Sequence, residues 1–199
     1  NGYTEFTITN SASGWRLSVP AEERGKPMFV LYTGTETAEQ KEIARNVFNG
    51  DWKYVPSSLA EDLRSISPHN LFGEVIKVFM ITASGAEGIT LKNTRYVHLM
   101  EPYWHPVRTQ QVIGRARRIC SHQDLPEELR TVEVFLYLMK FSKKQLELDA
   151  TIELKTKDVS KLDSTIPFTS DQALWEIANM KEAVIEKLLD AVKEASIDC

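Results

Sequence analysis

Apolar residues in this chain fall into short runs set between polar stretches that carry Gly and Pro. Residues 28–32 (MFVLY) form one run, bounded by Pro27 and Gly34, which predicts a buried strand. Residues 35–48 place Ala38, Ile43, Ala44, Val47 and Phe48 at helical spacing before Asn49-Gly50, which predicts a helix and its stop. Residues 51–73 are mixed, with a helix expected around 59–66 between loops. Residues 75–82 (VIKVFMIT), 95–100 (RYVHLM) and 132–141 read as three further strands, and 107–119 as a helix introduced by Pro102 and Pro106.

Strands and helices in this alternation, with strands apolar almost throughout, predict an α/β fold whose parallel sheet is covered on both faces. Residues 1–27 read as a linker, short hairpin or N-terminal extension, 28–141 as the α/β domain, and 142–169 as a connector. Residues 170–199 then carry Leu174, Ile177, Ala178, Val184, Ile185, Leu188, Leu189 and Val192 at helical spacing, and Thr169 with Gln172 fits a capping box.

With 199 residues and 42% hydrophobic content, the chain can fill one full core. No run approaches the ~20 apolar residues of a membrane helix, and the first ten residues lack the basic and apolar regions of a signal peptide. A chain beginning with Asn reads as a piece of something longer. Cys120 and Cys199 are far apart and the four histidines lack ligand spacing, so neither a disulfide framework nor a metal site is expected. An intracellular, reducing setting follows, not a secreted one.

The net charge of −4 argues against a nucleic-acid binder until it is located. From Ser170 onward seven acids face three lysines, so that stretch carries the whole excess and residues 1–169 are neutral. Inside the neutral part, residues 104–122 hold Arg108, Arg115, Arg117 and Arg118 and no acid.

Within that stretch lies QQVIGRARRI, residues 110–119. On a continuous helix Gln111, Arg115 and Arg118 share one face, while Val112, Ala116 and Ile119 share a neighbouring face that can pack on a sheet. Guanidiniums are suited to bidentate phosphate recognition and to neutralising charge in phosphoryl transfer. An R-x-x-R spacing equally fits a solvated basic helix, although no acid nearby in sequence pairs these charges. Cys120 follows and reads as a small core residue. Pro102, Tyr103 and Trp104 read as a packed turn, with stacking on a base as the alternative.

Upstream, ITASGAEGITL (residues 81–91) runs from a strand into small residues. Such a turn exposes backbone N–H groups at the C-terminal end of a strand, where open α/β sheets place their ligands. An ordinary strand-to-helix turn fits it as well.

In this order, ITASGAEGITL and QQVIGRARRI resemble motifs V and VI of superfamily-two helicases, and FVLYTG (residues 29–34) resembles the strand and turn of motif IV. EPYWHPVRTQQVIGRARRI is closer to the Swi/Snf-type translocases, with His105 where that pattern has Asn. The ending from Thr169 resembles the tail of Swi/Snf-like helicases of large DNA viruses, related to the poxvirus nucleoside triphosphatase.

The resemblance implies a RecA-like C-terminal helicase lobe. Arg115 and Arg118 would contact the γ-phosphate of ATP, one or both as arginine fingers, and Gln111, Gly88 and Glu87 would adjoin the nucleotide. Thr33, Gly34, Thr82, Ser84 and Gly85 would meet the nucleic-acid backbone, with double-stranded DNA the expected partner. No G-x-x-x-x-G-K-[ST] loop and no Asp-Glu-x-His pair is present, so ATP and Mg2+ would be held mainly by an N-terminal RecA-like lobe of the same polypeptide. The expectation is an ATP-dependent helicase or translocase whose isolated fragment is inactive. Two rivals stand beside it. One is a degenerate lobe that only binds nucleic acid or protein. The other is a Rossmann-like nucleotide binder, for which no G-x-G-x-x-G exists.

Overall fold

The computed structural model describes residues 2–82, 88–147 and 169–196. In chain order the elements are β1 (Thr4–Glu5), β2 (Ile8–Ser11), β3 (Gly14–Leu17), β4 (Met28–Tyr32), α1 (Ala38–Phe48), α2 (Ser57–Arg64), β5 (Ile76–Ile81), β6 (Tyr96–Leu99), α3 (Pro106–Ala116), β7 (Glu133–Leu136), α4 (Lys143–Glu147) and α5 (Ser170–Ala195). The expected strands and helices of the α/β fold are present. The chain divides into two compact units, Asn1–Arg95 with Gly114–Val132, and Tyr96–Ile113 with Glu133–Cys199.

In the first unit, β4 is flanked by β1 and β5, both parallel to it. Met28 and Val30 of β4, Ile43 and Val47 of α1, Leu59 and Leu63 of α2, and Val75 and Ile76 form its buried core. The N-terminal stretch does more than link. It carries β1 and the antiparallel hairpin β2–β3, and it gives Phe6, Leu17 and Val19 to that core. The hairpin is tied to α2 by Ser58 Oγ, which donates to the Trp15 carbonyl at 2.8 Å, and by an Arg16–Asp62 ion pair at 3.0 Å.

Local chemistry sets the helix ends. Thr37 and Gln40 cap α1 reciprocally, and Thr169 and Gln172 do the same for α5. Gly50, at φ 72°, turns the chain out of α1 where a side chain would be strained. Asn70 then acts as a clamp. Its amide nitrogen donates to the Phe48 and Ile76 carbonyls, and its amide oxygen accepts from the Val75 and Ile76 N–H groups. One buried side chain thereby fixes the entry to β5 against the end of α1.

In the second unit, β6 and β7 pair in parallel from Tyr96↔Glu133 to Leu99↔Leu136. The His98 ring stacks on Phe135 and Tyr137, and its Nδ1 is 2.9 Å from the Tyr137 hydroxyl. Pro102 is buried and Tyr103 half-buried, as a packed turn requires, but Trp104 is exposed under the Lys181 ammonium, 3.8 Å above its ring. Of α5, only Ala178 is buried.

No helix among the described residues is long and apolar enough to cross a membrane. No group of three or more His, Cys, Asp or Glu among them is placed to hold a metal ion.

Candidate functional site

The described candidates of the first unit lie in four places: the turn after β4, the end of β5, the segment from Gly88 to Thr94, and the last turn of α3 with the loop after it.

In the turn after β4, Thr33 is half-buried and Gly34 exposed. The Thr33 N–H and hydroxyl both donate to the Glu36 carboxylate, at 2.7 and 2.9 Å, and the Thr35 hydroxyl donates at 3.0 Å. Slight burial pushes the Glu36 carboxyl upward, but N–H groups of Thr33 and Glu36 and the two threonine hydroxyls outweigh it and hold the group below the ordinary carboxylate value. An internal carboxylate thus takes up the Thr33 donors that the resemblance assigns to the nucleic-acid backbone.

At the end of β5, Thr82 is exposed and its N–H donates to the Tyr32 carbonyl. Ser84, Gly85 and Glu87 lie outside the described residues. Gly88 follows at φ 74°, exposed and with open space around it, a backbone state that favours glycine. Ile89 and Leu91 are buried beside Tyr32, with Phe48, Phe79 and Ile81 around them. Asn49 pins this segment from α1. Its amide donates to the Thr90 carbonyl at 3.0 Å and accepts from the Lys92 N–H at 2.8 Å.

The arginine segment departs from the expected geometry. The helix was expected over 107–119, yet α3 stops at Ala116. The Leu91 N–H takes the Arg115 carbonyl and the Ser121 hydroxyl takes the Ala116 carbonyl, so the helix's terminal acceptors are satisfied by tertiary partners. Arg118 therefore lies beyond the helix and does not share a helical face with Gln111 and Arg115. Ile119, expected in the buried stripe, is 97% exposed, and Cys120, expected in the core, is exposed at φ 61°. Gln111 is exposed on α3, four residues before Arg115.

Arg115 and Arg118 differ in burial and in partners. Arg115 is half-buried, and its Nε is buried without a hydrogen-bond partner. A buried donor without a partner is rare in folded proteins and needs a physical reason. Arg118 is exposed and donates through Nη1 to the Thr90 hydroxyl. A cleft of about 480 Å3 is lined by Arg117, Arg118 and Arg130, with Cys120 and His122 beside them. Arg130 is tethered there by the Leu125 and Gln123 carbonyls. The donor set is cationic and rich in guanidinium, which fits a polyphosphate and does not fit a free divalent cation.

Sequence reasoning named Arg115 and Arg118 as candidates but did not single out Thr90, Ser121, His122 or Glu36, which the structure places against candidate residues or their loop. An acid three residues after Thr33 was a visible signal for the last. Nothing local marked the others.

Residues 15–120, more than half of the chain, match the family of the helicase conserved C-terminal domain. A mimivirus protein provisionally named as an ATP-dependent RNA helicase is 40% identical over 131 residues, which is 66% of this chain and 14% of the relative. A termination factor NPH-I homolog of African swine fever virus is 32% identical over 171 residues, 86% of this chain and 20% of the relative. A protein of invertebrate iridescent virus 3, provisionally named as a helicase, is 31% identical over 203 aligned positions, 100% of this chain and 17% of the relative. The chain thus spans between 14% and 20% of the length of these curated relatives.

Proposed function

The chain belongs to the helicase conserved C-terminal domain family, and from that premise we propose that it is the second motor lobe of an ATP-dependent nucleic-acid helicase or translocase. Residues 28–141 are the RecA-like lobe, and an N-terminal lobe of the same polypeptide supplies the phosphate loop. The observation that carries this reading is the pairing of an exposed Arg118 with the orphaned, buried Nε of Arg115. Arg115 and Arg118 lie three residues apart in the sequence, and Arg118 lines a cleft with Arg117 and Arg130.

ATP and Mg2+ are held mainly by the N-terminal lobe. When bound, they bring the phosphoryl group and its counter-charge. Arg115 and Arg118 then act as fingers that neutralise charge on the phosphates. Gln111, Gly88 and Glu87 adjoin the nucleotide. Thr82 with Ser84 and Gly85 meets the nucleic-acid backbone without reading bases. Thr33 and Gly34 join them once Glu36 gives up its hydrogen bonds. The partner is double-stranded DNA, and the work is intracellular. The mimivirus relative's name specifies RNA, so both nucleic acids belong in the test.

The test is ATP hydrolysis by the full-length protein, with DNA and with RNA, for wild type and Arg118→Ala. Loss of a finger is expected to lower kcat on the order of a thousandfold or more. Unchanged hydrolysis would sink the finger assignment and leave a lobe that only binds. The isolated chain is expected to show no hydrolysis at all, and turnover by it would refute the two-lobe reading.

A further inference from the structure

The loop that carries Arg118 is fixed by two polar residues that lie outside the arginine motif. Ser121 and His122 are buried, at 5% and 9% exposure. The Ser121 hydroxyl lies 2.9 Å from the Ala116 carbonyl and 2.8 Å from His122 Nδ1. His122 Nε2 lies 2.8 Å from the Thr94 carbonyl. A carbonyl oxygen only accepts, so Nε2 carries a proton toward Thr94. The Asn93 N–H donates to the Ser121 carbonyl at 2.9 Å.

Residues 117–120 are therefore closed at both ends. One end is held to the last turn of α3 by the serine hydroxyl. The other is held to Asn93 and Thr94 by the serine carbonyl and the imidazole. Arg118 itself reaches Thr90 in that same segment. Burying a serine and a histidine is costly without polar partners, and here the atoms within hydrogen-bond distance of them are the anchor points of the finger loop.

We propose that Ser121 and His122 are positioning residues for Arg118. They make residues 88–94 and the finger loop one mechanical piece, so a shift of the segment that follows the nucleic-acid turn moves the guanidinium instead of being absorbed by a slack loop. This rests on the reading of Arg118 as a finger. Both residues border the arginine cleft, and in this proposal they act through Arg118 and not on the nucleotide.

The test is a double-mutant cycle on the full-length protein, read as nucleic-acid-stimulated ATP hydrolysis. His122→Ala is expected to lower kcat roughly 10- to 100-fold, the scale of a misplacement of about 1 Å, with KM for ATP and nucleic-acid affinity unchanged. His122→Gln places an amide N–H near the Nε2 position and is expected to restore most of the rate. In an Arg118→Ala background, His122→Ala is expected to cost nothing more. The same fractional loss in both backgrounds would overturn the proposal, as would wild-type kcat in His122→Ala. If His122→Ala fails to fold, Ser121→Ala takes its place in the cycle, with the same outcomes. A wild type that lacks stimulated hydrolysis overturns this proposal together with the motor reading, whereas an independent His122 effect overturns this one alone.

Discussion

Cys120 sits at φ 61°, a left-handed state that costs an L residue about 1–2 kcal/mol, and its exposed side chain gains no burial in return. Replacing it with Gly removes that strain but adds about 0.5–1 kcal/mol of unfolded-chain entropy. Cys120→Gly is therefore expected to raise stability by roughly 0.5 kcal/mol, read as an upward shift of the urea midpoint. A fall in the midpoint would mean that the thiol packs after all. The sequence could not reveal this position. Cysteine is among the residue types most often buried, and the apolar period through Val112, Ala116 and Ile119 continues past the true helix end. What stops the helix is the Leu91 N–H and the Ser121 hydroxyl, and only folding brings the first of these near. Arg115 was legible from spacing because it lies on α3. Arg118 was legible by type but not by geometry.

Most elements could be read because their signals are local. β4 was expected over residues 28–32 and lies at Met28–Tyr32, and the capping residues of α5 were visible in the sequence. β1 was not legible. It is two residues long, and its partner β4 lies more than twenty residues on. Asn70 was not legible either, since a lone Asn before Leu-Phe-Gly reads as loop chemistry. Yet it holds four hydrogen bonds at 5% exposure. Asn70→Ala leaves two buried carbonyls and two N–H groups without this partner, each worth about 1–3 kcal/mol when left unmade. With partial relaxation, a loss of about 3 kcal/mol or more is expected, with an unchanged dependence on urea concentration. A loss under about 1 kcal/mol would show that water or backbone readily replaces the clamp.

On the scale of the whole chain, the charge distribution was legible and the division was not. The acid excess in the final stretch and the acid-free arginine segment can be counted from composition. The two units cannot, because the first is assembled from two separated pieces, Asn1–Arg95 and Gly114–Val132. That feature has a consequence in time. During synthesis at roughly 5–20 residues per second, Val132 is added about 2–7 s after Arg95. For the first part of that interval, until residues 115–122 are added, the N–H groups of Leu91 and Asn93, the Thr90 hydroxyl and the Thr94 carbonyl have been made but their partners have not. Nascent chains arrested with residues 1–113 outside the ribosome are expected to be cut by protease within 88–95. Chains exposing residues 1–132 should be protected there, and equal protection of both would refute the order. The contact proposed to couple residues 88–94 to the finger loop then forms late in the first unit, leaving a vulnerable interval on the ribosome before the arginine loop arrives.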